Sequence, residues 1–272
     1  LSNLLIGAGA TLTGGAGLTH TVDGRWTNNG TFTGQTSTVE FTSSSGSDEI
    51  SGGGASNFNN VLFDAASNLT VVSPISVSGN FTNNGASLSF LSAPVTFTGT
   101  GSSILGGSLV TVFEELSIEK TGSFVQMNTD ATVNELLELT SGNLLLNSNT
   151  LTLTNPLATA LTTAGGYFVS ENTSNNSRVN WVINNDFDAH VIPFGTLGGD
   201  LIPFTFVLTS GDGGTLSVAT YGTGNDNLPF PPGVTELNDG SGVNNSLNTV
   251  DRFYQIDLLG ATSPTANITF VA

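Results

Sequence analysis

The chain repeats itself at an offset of about fifty-five residues, and this constrains its fold more than any other feature. Trp26-Thr27-Asn28-Asn29-Gly30 returns as Phe81-Thr82-Asn83-Asn84-Gly85, an offset of 55. The pieces behind each copy keep their order. Val39-Glu40-Phe41-Thr42 is followed by Val95-Thr96-Phe97-Thr98, and Phe58-Asn59-Asn60-Val61-Leu62 by Phe113-Glu114-Glu115-Leu116-Ser117. A degenerate third copy begins near Leu136-Leu137 and runs through Ser141-Gly142-Asn143-Leu144 to Leu151-Thr152-Leu153-Thr154. Self-similarity at this period marks stacked units, each burying its apolar face only against its neighbours.

The local pattern is that of strands. Apolar and polar residues alternate in Thr31-Phe32-Thr33, Val39-Glu40-Phe41, Leu69-Thr70-Val71 and Leu151-Thr152-Leu153, which is the period of a pleated strand. Turn clusters separate these runs: Asn28-Asn29-Gly30, Gly52-Gly53-Gly54, Gly106-Gly107 and Ser141-Gly142-Asn143. The best amphipathic helix candidate, residues 133–139, reads equally well as a strand between Thr132 and Thr140.

The expected fold is therefore all-β, with β-solenoid-like stacked repeats followed by an antiparallel β-sandwich-like domain. Residues 1–160 are assigned to the stack, with about three coils of roughly eighteen residues per repeat and Trp26 and Phe81 at equivalent positions. Asn and Thr side chains are expected to form ladders along it. Residues 161–272 form the second domain. There the repeat fades, Pro and Phe cluster in Pro193-Phe194-Gly195 and Pro229-Phe230-Pro231-Pro232, and longer alternating runs appear at 202–208 and 215–220.

Charge narrows the function. Only 9% of residues are charged, and the net charge is −17, with Arg25, Lys120, Arg178 and Arg252 the only cations besides the chain's two histidines. Four scattered cations cannot release the counterions that nucleic-acid binding requires. Anionic membranes are disfavoured for the same reason, and no apolar run approaches the ~20 residues of a membrane helix. Divalent cations and neutral glycans are compatible partners. The absence of cysteine suits a protein that crosses an envelope unfolded. A start at Leu1 fits either a removed leader or an excerpt of a longer protein.

The second half carries a family resemblance. Gly166-Tyr167-Phe168-Val169-Ser170-Glu171, Val179-Asn180-Trp181, Ile192-Pro193-Phe194-Gly195, Thr220-Tyr221 and Val250-Asp251-Arg252-Phe253-Tyr254 occur in that order. With the Phe-Thr-Asn-Asn-Gly repeats upstream, the chain resembles the large secreted surface proteins of Bacteroidota. In those proteins adhesin-like β-repeats precede such a segment, and a type IX secretion sorting domain often follows. The resemblance implies an extracellular, cell-surface location and an adhesive or structural role.

Catalytic residues are not identified. Two histidines, His20 and His190, and no cysteine leave few nucleophile–base arrangements, and no Gly-x-Ser-x-Gly elbow precedes a helix. A polysaccharide-degrading β-solenoid enzyme is the remote alternative, since the acids of the repeats form no local cluster with an Arg or Lys. In Asp186-Phe187-Asp188-Ala189-His190 a strand would aim both acids and the histidine to one face. Asp186, Asp188, Asn225, Asp226 and Asp239 offer hard oxygen ligands in turn-forming loops, so calcium is the one cofactor they admit, though none is required. The function expected is a non-enzymatic extracellular protein that associates with itself through terminal strands into a filament, sheath or matrix, or with neighbouring domains of a longer chain. A monomeric adhesin or stalk module that binds glycans or surfaces is the alternative.

Overall fold

In the computed structural model, which describes residues 1–85, 87–238 and 240–271, the first two-thirds of the chain wind into a three-sided β-coil. Each turn contributes one strand to each side, and every side is a parallel ladder. The first face runs through Leu4–Ile6, Trp26–Asn28, Asp48–Ser51, Asn68–Val71 and Ser87–Phe90. The second runs through Thr11–Thr13, Thr31–Thr33, Ala55–Phe58, Ile75–Val77 and Val95–Gly99. The third runs through Thr19–Val22, Thr38–Phe41, Asn60–Phe63, Phe81–Asn83 and Ser103–Gly107. In the sixth and seventh turns one continuous strand, Thr111–Met127 and then Ala131–Leu145, bends around all three sides.

Register places like on like. On the first face Leu4, Trp26, Ile50, Val71 and Phe90 lie in one inward column, and on the third Val39, Val61, Phe81 and Leu105 do the same. Aromatic rings fill the centre: Trp26 meets Phe32 edge-on at 4.8 Å, Phe41 stacks on Phe63 at 5.4 Å, and Phe81 meets Phe63 at 5.4 Å and Phe113 at 5.5 Å. Stacking at about 4.8 Å per turn leaves no room for water between these side chains, so each turn is the apolar cover of the next.

The expected equivalence of Trp26 and Phe81 fails. Trp26 is on the first face and Phe81 on the third. The reason is the length of a turn. Pairs such as Thr19↔Thr38 and Trp26↔Ile50 set steps of 19 to 24 residues, not eighteen. A repeat of fifty-five residues therefore holds eight strands, or two and two-thirds turns, and each copy starts one face behind its predecessor. The third copy duly opens on the second face, where Leu137 pairs with Leu116 and Leu161. Within about eight turns the copies thus open on the first face of the second turn, the third face of the fourth and the second face of the seventh.

The coil also runs past residue 160. Leu161–Thr163 and Tyr167–Val169 complete the eighth turn in parallel with the seventh. Arg178–Val182 then pairs in parallel with Thr150–Leu153 on the first face, and on its other edge with Thr215–Gly222, antiparallel. That edge converts the coil into a two-layer sandwich. One layer is Arg178–Val182, Thr215–Gly222 and Arg252–Leu259; the other is Ala189–Ile192, Phe204–Asp212 and Thr262–Phe270. Phe204, Phe206, Leu216 and Val218 belong to the same contiguous core as the rings of the coil. The C-terminal end is thereby closed: Phe168 packs on Phe194 at 6.2 Å and Trp181 on His190 at 4.7 Å.

Leu4–Ile6, Thr11–Thr13 and Thr19–Val22 are each paired on one edge only among the described residues. Between them lies an apolar mouth of about 140 Å³ lined by Leu1, Leu4, Leu12, Val22, Trp26 and Phe32.

Candidate binding surfaces

The outward positions of the second face form one column. Thr13, Thr33, Asn57, Ser76, Thr96, Ser117, Glu138 and Thr162 follow one another in register, one per turn. Side chains link along it where length allows, as when Ser76 Oγ donates to Asn57 Oδ1 at 2.7 Å. On the third face Asn60 Nδ2 similarly donates to Thr38 Oγ1 at 3.4 Å. The expected Asn and Thr ladders are present.

The column changes character along its length. Its positions in the first six turns are uncharged, and Glu138 in the seventh is its first acid. In the sixth and seventh, Glu114, Glu115, Glu119, Glu135 and Glu138 occupy the two continuous strands, and Asn134 Nδ2 donates to Glu114 at 2.9 Å. No Lys or Arg is left to balance them, because each of the four is spent internally. Arg25 lies 3.6 Å from Asp48, Arg178 2.8 Å from Asp257, and Arg252 2.7 Å from Glu171. Lys120 is fully buried, and its Nζ donates to the carbonyls of Ser78 at 2.8 Å, two turns back, and Thr98 at 2.5 Å, one turn back. Burial lowers its pKa from 10.5 to about 8, because an ammonium loses hydration that two carbonyls replace only in part.

The repeated corner is built three times, once on each edge of the coil. Gly54 N donates to Asn28 O at 2.8 Å, Leu109 N to Asn83 O at 3.2 Å, and Gly166 N to Leu139 O at 3.0 Å. In the first two copies the buried Asn also accepts from the glycine two residues on, Gly30 or Gly85, at 3.0 Å. Its Nδ2 reaches the next turn at Ser56 Oγ or Thr111 Oγ1, both at 3.1 Å. Leu139 cannot make these bonds, which is why the third copy is hard to recognise. The first copy is hollow: beside Gly52, Gly53 and Gly54 lies a groove of about 380 Å³.

The residues expected to hold a metal are dispersed. The row Asp186, Asp188 and His190 does not form on one strand face. Asn184 takes a left-handed φ of 45°, the strand ends at Val182, and residues 184–188 make a turn in which Asp188 N donates to Asp186 Oδ1 at 2.8 Å. His190 follows on a separate strand, buried, with Nε2 2.9 Å from Pro156 O. Asn225 and Asp226 lie in another exposed turn, where Leu228 N donates to Asp226 Oδ1 at 3.1 Å. Asp239 lies outside the described residues. Among the described residues no three His, Cys, Asp or Glu gather where one metal would sit.

Comparison with protein-family models, curated protein sequences and solved structures finds no match for this chain. What it does rests on its own geometry.

Proposed function

We propose that this chain is a non-enzymatic structural and adhesive protein of a bacterial cell surface, secreted and associating with itself through its terminal strands. The observation that carries the reading is the state of the two ends. Among the described residues the first turn leaves three strand edges unpaired around an apolar mouth. Unpaired backbone groups beside uncovered apolar surface favour pairing with another strand. At the other end Thr262–Phe270 pairs only with Phe204–Asp212 among the described residues. Its Ile268 and Phe270 stand on the side facing the core yet remain 45% and 54% exposed. Joining such ends in series gives a filament, sheath or matrix. The net charge of −17 opposes contact between copies, so salt or calcium strengthens it.

A monomeric stalk that binds surfaces or glycans is the second reading, favoured by the long uncharged column of the second face. Light scattering and electron microscopy separate the two. Removing residues 1–13 or 266–272, or placing lysines on the edges as Leu12→Lys and Ile268→Lys, is expected to abolish fibres and leave monomers. A persistent monomer of the intact chain at high concentration, with and without calcium, removes the polymer reading and leaves the stalk.

A further inference from the structure

We propose that the groove at the Gly52–Gly54 corner binds an uncharged saccharide segment of about disaccharide size, a role independent of association through the ends. Its volume, about 380 Å³, falls within the range of small-ligand sites, roughly 300–1,000 Å³. The floor is part of the polar column: Asn57, Ser76 and Thr96, in register on three successive turns about 4.8 Å apart. Ser76 Oγ fixes the amide of Asn57 through its Oδ1, which leaves Nδ2 without a partner among the described residues, two turns along the column from the hydroxyl of Thr96. Ala55 and Pro74 supply apolar wall. Hydroxyl and amide groups at regular intervals beside an apolar wall suit a sugar ring, which has hydroxyls at its rim and C–H groups on its faces. None of the lining residues carries a charge, while the rest of the molecule repels acidic sugars. The ligand is therefore a neutral glycan.

The repeat supplies an internal control. In the second copy of the same corner the groove positions hold Ser108, Leu109, Val110 and Val112 in place of Gly53, Gly54, Ala55 and Asn57. Leu109, Val110 and Val112 are 42%, 50% and 44% exposed. The coil thus accepts large side chains at this corner. Gly52 is held to glycine by its φ of 112° and the nearby Asn28 carbonyl. Gly53 has no such duty: its φ is not left-handed, and an added Cβ would meet nothing within 4 Å. Gly54 is confined too, since an added Cβ would run into the Gly30 carbonyl, so Gly53 is the glycine of this corner that folding leaves free to change.

The test is an NMR titration with neutral di- and tetrasaccharides of glucose, mannose and N-acetylglucosamine, with oligogalacturonate as the acidic counterpart. Expected are amide shifts confined to Gly53, Gly54, Asn57 and their neighbours for at least one neutral sugar, and none for oligogalacturonate. Gly53→Leu, which fills the groove, and Asn57→Ala, which removes the donor, each weaken binding about tenfold or more without lowering the melting temperature. The proposal is overturned if no neutral sugar shifts these resonances, if both variants bind as the parent does, or if oligogalacturonate binds equally. It is also overturned if Gly53→Leu disrupts assembly, which would make the groove a contact between copies.

Discussion

The coil and the sandwich that closes it bury their side chains by different means. In the coil each turn is covered by the turn before and the turn after, so Phe41, Phe63, Phe81 and Phe97 are all fully buried without ion pairs among them. In the sandwich two short layers must also be fastened to the coil. There the chain uses charge: Arg252 to Glu171 and Arg178 to Asp257 tie Arg252–Leu259 to the loop after Tyr167–Val169 and to Arg178–Val182. Arg252 also donates to Thr220 Oγ1 at 3.2 Å, and Gly222 N donates to Glu171 at 2.8 Å. The lesson is that a stack with a partner on both sides can bury its rings by apolar shape and keep its directional bonds for corners such as Asn28 and Asn83. A layer covered on one side needs directional bonds as well.

The sharpest challenge to that contrast uses one residue type in both regions. Phe81→Ala removes a fully buried ring touching four others and is expected to cost about 3–5 kcal/mol. Phe270→Ala, on the half-exposed last strand, is expected to cost within about 0.5 kcal/mol of nothing in the monomer. Urea denaturation of both variants gives the comparison, and equal losses would break it.

A smaller effect belongs to the fastening. Arg252→Ala leaves Glu171 without its cation at a site where both side chains are mostly buried, and a cost of about 1–3 kcal/mol follows. Hydrogen exchange should quicken in Arg252–Leu259 and Thr215–Gly222 and stay unchanged in the first five turns. Faster exchange along the whole coil would mean that the two regions unfold as one.

The smallest effect is a pH slope peculiar to the coil. The folded protein releases the Lys120 proton near pH 8, whereas the unfolded chain keeps it to about 10.5. Between these values the unfolded state binds more protons, so stability rises with pH. The rise is clearest below pH 10. Above that, Tyr221 and Tyr254, whose pKa values are raised by burial, favour the protonated folded form and reverse the slope. Denaturation midpoints between pH 7.5 and 9.5 should climb in the parent and stay flat in Lys120→Met. A flat profile in both would mean that the two carbonyls hold the ammonium charged.

The stacked fold was legible because a buried column repeats its residue type: Val39, Val61 and Phe81 announce themselves in any window of the sequence. The number of sides was not. Turn length depends on corners that vary from 19 to 24 residues, and a period in residues says nothing about faces until the strands within it are counted. The boundary at residue 160 failed for a related reason, since Leu161 and Phe168 continue the inward columns while the polar motif around them has decayed. The metal row failed because Asn184-Asn185 is a stronger turn signal than the alternation after it is a strand signal. The groove was visible only as three glycines. Its emptiness becomes meaningful when set against Gly107-Ser108-Leu109 in the copy that is filled.

Eight strands per repeat on a three-sided coil also governs how such a molecule can change length. Gain or loss of one repeat shifts everything downstream by a whole number of strands that three does not divide. Apart from the coil's own twist, the closing sandwich then swings a third of a revolution about the long axis. A chain of one, two or three repeats would aim the same sandwich in three different directions, and a fourth would return it to the first. Duplication in this architecture acts as an angular ratchet: it sets the bearing of what the rod carries as well as its reach.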